Sequence, residues 1–222
     1  MRRLHHFALQ PSSRKLRILL REKDLDFELI DERPGDRREE LLHLNPSGEV
    51  PVLVEPDGAA YADGQAIAEY LDETYPERPL IGATAQRRAE VRRLVSWFDL
   101  KFDREVTARL LDEKIMKRLI RSGHPDSQAI RLASANLHIH LDYIAWLADR
   151  RTWLAGDGFS LADIAAAAHL SVVDYLGDIP WDGHPGAKDW YARVKSRPSF
   201  RPLLADHVPG APPPRHYADL DF

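Results

Sequence analysis

The stretch Asn45-Pro46-Ser47-Gly48-Glu49-Val50-Pro51-Val52-Leu53 decides how this 222-residue chain is read. Pro46 disfavours helical backbone in the residue before it, so Glu39 to Leu44 reads as a short helix that must end there. Val50 to Val54 reads as a strand with a proline near its start, where one ladder donor can be spared. Asp57-Gly58 then makes a hairpin turn into a strand over Ala59 to Ala62. Toward the N-terminus, Phe27 to Ile30 alternates as a strand. Ser12-Ser13 offers an N-cap to a helix with Leu16, Leu19 and Leu20 on one face, and Leu4 to Leu9 is an apolar run of strand length stopped by Gln10-Pro11. Toward the C-terminus, Gln65 to Tyr75 places Ile67, Tyr70, Leu71 and Thr74 at helical spacing, and Pro76 and Pro79 close the unit. The order is β-α-β-α-β-β-α.

Beyond Gly82 the pattern turns helical throughout: Thr84 to Arg121, Ser127 to Arg150, Ser160 to Leu176 and Ala187 to Ser196. We expect an α/β domain over residues 1–81, an all-α domain over 85–205 and a Pro-rich C-terminal tail over 206–222. Three successive prolines, Pro212 to Pro214, stiffen that tail in an extended form. It is then either packed back on the body or offered to a partner.

Composition removes several function classes. A hydrophobic content of 44% is ample for a packed core, and 31 Lys plus Arg against 35 Asp plus Glu gives no general attraction to nucleic acid. With no cysteine there is no disulfide scaffold, thiolate metal site or cysteine nucleophile. His138 and His140 point about 200° apart on a helix and cannot share a metal ion. No run approaches the ~20 apolar residues of a membrane span, and Met1 to His6 leads into no signal-peptide core, so we expect a cytoplasmic protein without membrane insertion. Charge is nonetheless uneven. Residues 81–121 carry 11 basic and 6 acidic side chains, while residues 1–80 carry 11 and 17. A basic helix of this kind is ordinarily a solvated face; the alternative is a surface for an acidic partner.

The element order resembles the glutathione transferase superfamily, with a thioredoxin-like N-terminal domain and an all-α C-terminal domain, over nearly the whole chain. Pro11 to Arg17 is similar to the superfamily's turn into its first helix. Asn45 to Leu53 is similar to its Asn-Pro-x-Gly-x-Val-Pro-x-Leu signature, and Asp63 to Leu71 to its Glu-Ser-x-Ala-Ile-x-x-Tyr-Leu helix start. Ser160-Leu161-Ala162-Asp163 matches its capping box, a folding motif worth ~1 kcal/mol. The resemblance implies a cis Pro51 that leaves the Val50 backbone free to pair with an extended peptide such as glutathione, with Asp63 and Gly64 at the γ-glutamyl end.

Two chemical positions depart from that pattern. The family sets Tyr, Ser or Cys near the opening proline to hold the thiol as thiolate; here Gln10 precedes Pro11, and Ser12 and Ser13, read first as helix caps, are the only nearby hydroxyls. Gly64 stands where the family has a serine on the γ-glutamyl carboxylate. Losing such a hydrogen bond costs ~1.5 to 3 kcal/mol, about one to two orders of magnitude in affinity. Asp63 is one methylene shorter than the usual Glu. The expected cofactor is therefore none, with glutathione, if bound, held weakly.

Within the superfamily, Leu4-His5-His6, Glu32-Arg33-Pro34, Trp97-Phe98-Asp99 with Lys101-Phe102, Lys195 to Pro202 and the closing His216 to Phe222 resemble the FtsZ-localized protein A group of bacterial division proteins. Gly35 stands where some members are expected to carry an aromatic. This resemblance implies a homodimeric, non-catalytic adaptor that binds FtsZ polymer at the division site, with Tyr217, Asp219, Leu220, Asp221 and Phe222 in the partner-binding tail. The alternative is a glutathione S-transferase that conjugates glutathione to small electrophiles, using Ser12, Ser13 or Gln10 beside the thiol.

Overall fold

The computed structural model describes residues 1–220. Four short strands, β1 (Arg2–His6), β2 (Phe27–Asp31), β3 (Val52–Val54) and β4 (Ala60–Ala62), form one mixed sheet in the order β2-β1-β3-β4. β1 and β2 run parallel, with Leu4 opposite Leu29, while β3 is antiparallel to both β1 and β4. Helices α1 (Pro11–Glu22), α2 (Glu39–Leu44) and α3 (Gly64–Thr74) connect them. The Val50–Pro51 peptide is cis, as the signature implies.

Two local expectations are corrected. β1 stops at His6, not Leu9, because Phe7 to Gln10 close a turn in which the Gln10 amide bonds the Phe7 carbonyl at 3.0 Å. Helix α1 starts with Pro11 at its first position and Gln10 as its N-cap, with no side-chain capping bond, so Ser12 and Ser13 lie inside the first turn and do not cap it. Proline suits that place: its fixed φ fits the helix and its missing N–H is one that would have no helical partner.

The helical half starts with a continuous rod. It comprises α4 (Ala85–Ser96), a π-helical stretch Trp97–Thr107, α5 (Ala108–Leu111), a second π-helical stretch Asp112–Met116 and α6 (Lys117–Leu119). α7 (Ser127–Arg150), α8 (Leu161–Tyr175) and α9 (Pro185–Lys195) complete it. Every residue of α8 is buried. Its start carries the reciprocal Ser160–Asp163 capping box, and the Asp163 carboxylate also takes the Leu154 amide at 2.8 Å and the Trp190 indole N–H at 3.1 Å. One apolar cluster runs unbroken from Leu4, Leu16 and Ile67 through Phe98 and Phe102 to Leu141 and Trp190. A smaller one joins Leu9, Leu111, Val172 and Tyr175 to Val208 and Tyr217 of the C-terminal segment.

Candidate functional site: the cleft and the tail seat

A cleft of about 410 Å³ opens between the sheet half and the long helical rod. Phe7, Gln10 and Pro11 form its floor, and the loop after β2 gives Glu32, Arg33, Pro34 and Arg37. Glu49 and Val50 come from the loop that leads into β3, and Asp103, Leu111, Asp112 and Met116 from the rod. The β1 and β2 motifs meet here: buried His5 and Glu32 are paired at 2.7 Å, and Arg38 reaches the same carboxylate at 3.4 Å. Among the described residues, neither backbone polar group of Val50 has a hydrogen-bond partner. Asp103 is lifted above the usual carboxylate range by burial, with Asp99 adding to the effect against the pull of His169. Burial acts on Asp99 in the same direction, but Lys15 and His169 outweigh it and hold that carboxyl down.

Of the residues expected at a glutathione-type site, only Gln10 and Val50 line this cleft. The place where the resemblance sets the γ-glutamyl group is closed by the protein's own atoms. Asp63 caps α3, its carboxylate accepting the Gln65 and Ala66 amides at 2.8 and 2.9 Å, so those donors are already used. Gly64 is buried, and a Cβ built on it would fall 2.7 Å from Ser12 Cβ and 3.6 Å from Ser12 Oγ. Ser12 thus fills the space that a serine at position 64 would need. The Gln10 amide points at the Ser12 hydroxyl, at 3.5 Å. Ser13 is fully buried, and its hydroxyl has no hydrogen-bond partner among the described residues.

Half a turn along α1 from Ser12, the opposite face of the helix holds the tail. Arg14 is fully buried. Its guanidinium donates to the Ala8 carbonyl (2.7 Å), Ser171 Oγ (2.9 Å), the Tyr217 hydroxyl (2.8 Å) and Asp206 (3.0 Å). Arg17 grips both oxygens of Asp206 at 2.8 Å, the bidentate pairing that suits a planar guanidinium. Tyr217 is 0% exposed and donates to the Leu203 carbonyl at 3.0 Å. The Tyr175 hydroxyl donates to the Ala211 carbonyl and accepts the Val208 amide, at 2.7 and 2.9 Å. Beneath the tail, Lys195 and Asp174 form a fully buried pair 3.4 Å apart, and Lys195 also reaches the His216 carbonyl at 3.4 Å. Burial pushes both toward neutrality, lowering Lys195 and raising Asp174.

The tail is therefore packed back, and the expectation that Tyr217 faces a partner is corrected: its ring lies edge-on to Tyr175 inside the protein. Asp219 is exposed and Leu220 half-buried at the surface. Asp221 and Phe222 lie outside the described residues. The basic rod is less of a free surface than its sequence suggests. Arg92 pairs with Glu69, Arg93 with Glu90, Lys101 with Glu105, Lys114 with Asp178 and Lys117 with Glu113, while Arg118 donates to the Gly210 carbonyl. Sequence reasoning missed Arg14, Arg17 and Asp206 as a unit. Arg14-Lys15-x-Arg17 reads as the solvated side of an amphipathic helix, and only partners some 190 residues away make it an interior.

Comparisons with known proteins agree with this geometry. The model of the glutathione S-transferase N-terminal domain matches residues 4–79, and that of the C-terminal domain residues 136–198. FtsZ-localized protein A from Caulobacter vibrioides (strain NA1000 / CB15N) is 51% identical, over 100% of this chain and 98% of that protein. Glutathione S-transferase 3 from Zea mays is 30% identical over 96% of each. Among solved structures, a glutathione S-transferase from Rhodospirillum rubrum F11 is 60% identical with a TM-score of 0.98, both chains being fully covered. FzlA from C. crescentus is 51% identical with a TM-score of 0.96, over 100% of this chain and 99% of that one. The mixed sheet with its cis proline, the buried capping box and the all-helical second half are thus those of a known lineage, and the chain belongs to the glutathione S-transferase family.

Proposed function

We propose that this chain is a homodimeric, non-catalytic adaptor of bacterial cell division that binds FtsZ polymer through its tail, in the cytoplasm at the division site. The observation that carries this reading is the 51% identity to FtsZ-localized protein A along the whole chain, tail included. The geometry supports it from two directions. The γ-glutamyl end of the cleft is filled by Ser12 and capped by Asp63, which leaves little to hold glutathione. The tail is seated on buried polar groups, as befits a surface meant to keep its shape. No described helix is long and apolar enough to cross a membrane. A second copy fits the outer face of α7, where Leu132, Ile139 and Trp146 recur every seven residues and stay about half exposed or more (49%, 64% and 48%).

Co-sedimentation with FtsZ assembled with GTP tests the reading. The intact protein is expected in the pellet at low ionic strength, where charge attraction is least screened, and an Asp219→Ala, Leu220→Ala variant in the supernatant. Failure of the intact protein to pellet overturns the reading.

One observation favours the alternative, a glutathione S-transferase. The Val50 backbone, which has no hydrogen-bond partner among the described residues, lies, like the half-buried Ser12 hydroxyl, at the edge of the cleft. Sub-millimolar glutathione binding by calorimetry, with turnover of an electrophilic aromatic that is lost in a Ser12→Ala, Ser13→Ala variant, decides for it.

A further inference from the structure

Arg14 is the point where four separate parts of the chain converge. Its Nε holds the Ala8 carbonyl in the turn after β1, and one terminal nitrogen is shared between Ser171 of α8 and Tyr217 of the tail. The other terminal nitrogen bonds Asp206, in the segment that leads into the tail. A fully buried guanidinium must have its donors met, because each one left unpaired in the interior is costly. The fork therefore sets where Tyr217 and Asp206 can lie. Between these two points the segment is tied again, at Val208 and Ala211 through Tyr175, and the His216 carbonyl is held by Lys195. Past Tyr217 the chain turns once more, the Asp219 amide bonding the His216 carbonyl at 3.1 Å. The exposed Asp219 and half-buried Leu220 follow within three residues of the buried Tyr217.

We infer that Arg14 is a positioning residue for the partner site: with Tyr217 and Asp206 it latches the tail to the body, so that Asp219 and Leu220 are presented in a fixed place. The inference rests on the reading that the tail meets FtsZ polymer. A latched tail has already lost the conformational freedom that a loose arm would lose on binding. Releasing the latch weakens binding without removing a contact residue.

Tyr217→Phe is the direct test, since it keeps the ring packed against Tyr175 and deletes only the hydroxyl shared by Arg14 and Leu203. Ser171→Ala is the control: it removes an Arg14 partner that is not in the tail. Hydrogen exchange and co-sedimentation with GTP-assembled FtsZ are measured on both variants as full chains. In Tyr217→Phe the amides of residues 208–219 are expected to lose protection while those of α8 keep theirs, and affinity to fall about tenfold. Ser171→Ala loosens Arg14 on the body side only and is expected to weaken binding less than Tyr217→Phe does. If tail amides in Tyr217→Phe stay protected, the latch is overturned. If they open and affinity holds, or if Ser171→Ala weakens binding as much, the positioning role is overturned. Should the unaltered protein fail to pellet with filaments, the partner reading falls instead, and the latch is judged by exchange alone.

Discussion

Helix α1 serves two neighbourhoods, and the difference between them is instructive. On one face Ser12 stands against Gly64, the cap of α3 is closed by Asp63, and a single buried cation, Lys15, reaches Gln65 of α3 and Asp99 of the rod. On the other, Arg14 and Arg17 grip Asp206 and Tyr217 through short charge-assisted bonds in the interior. Family resemblance points to the first face as the place of chemistry. The polar groups that are costly to bury, and so must be matched, are concentrated on the second.

The largest expected effect that sharpens this contrast is at the floor of the tail seat. Asp174→Ala removes the carboxylate of the buried Lys195–Asp174 pair, together with the acceptor of the Trp181 and Tyr191 side chains, and should destabilise the protein by about 3 to 5 kcal/mol in urea unfolding. A loss below 1 kcal/mol would mean that the seat is not the demanding region described. Next comes acid. Burial first, and then Arg17, hold His6 down to about 4. In the unfolded chain it protonates near pH 6.5, so the native state binds fewer protons in between; stability is full above about pH 6.5 and falls as the pH drops toward 4, by up to about 3 kcal/mol. The stabilities of the protein and a His6→Gln variant should separate over that range, the variant losing less as the pH falls. Parallel curves would remove His6 from the account. The smallest effect belongs to the cleft. Gly64→Ser should cost about 1 to 3 kcal/mol through its clash with Ser12 Cβ and gain no glutathione affinity. The Ser12→Gly, Gly64→Ser pair relieves the clash, and calorimetry should then detect tighter glutathione binding. Equal affinity in both variants would show that the closed end is not what limits the ligand.

Much of the fold is legible in the sequence because its signals are local. Asn45-Pro46 ends α2 at Leu44, Asp57-Gly58 turns β3 into β4, and Ser160 with Asp163 starts α8, each through atoms a few residues apart. Local reading errs where two local signals compete, as at Ser12-Ser13, where Pro11 takes the first helical position and moves the cap back to Gln10. The π-helical turns in the rod leave no mark in a pattern of threes and fours. The candidate site is less legible still. That Gly64 has no room for a side chain depends on Ser12, and that Tyr217 faces inward depends on Arg14; neither pairing has a spacing to read.

The complete burial of α8 has a mechanical consequence. Ser171, Asp174 and Tyr175 lie on one side of this helix at spacings of three and four, and they meet Arg14, Lys195 and the segment 208–211 respectively. A pull on the tail is thus delivered to the element with packing on every side, and not to a surface helix that could be peeled away one turn at a time. A load on the tail would be shared with the interior of the helical half before it reached any exposed helix.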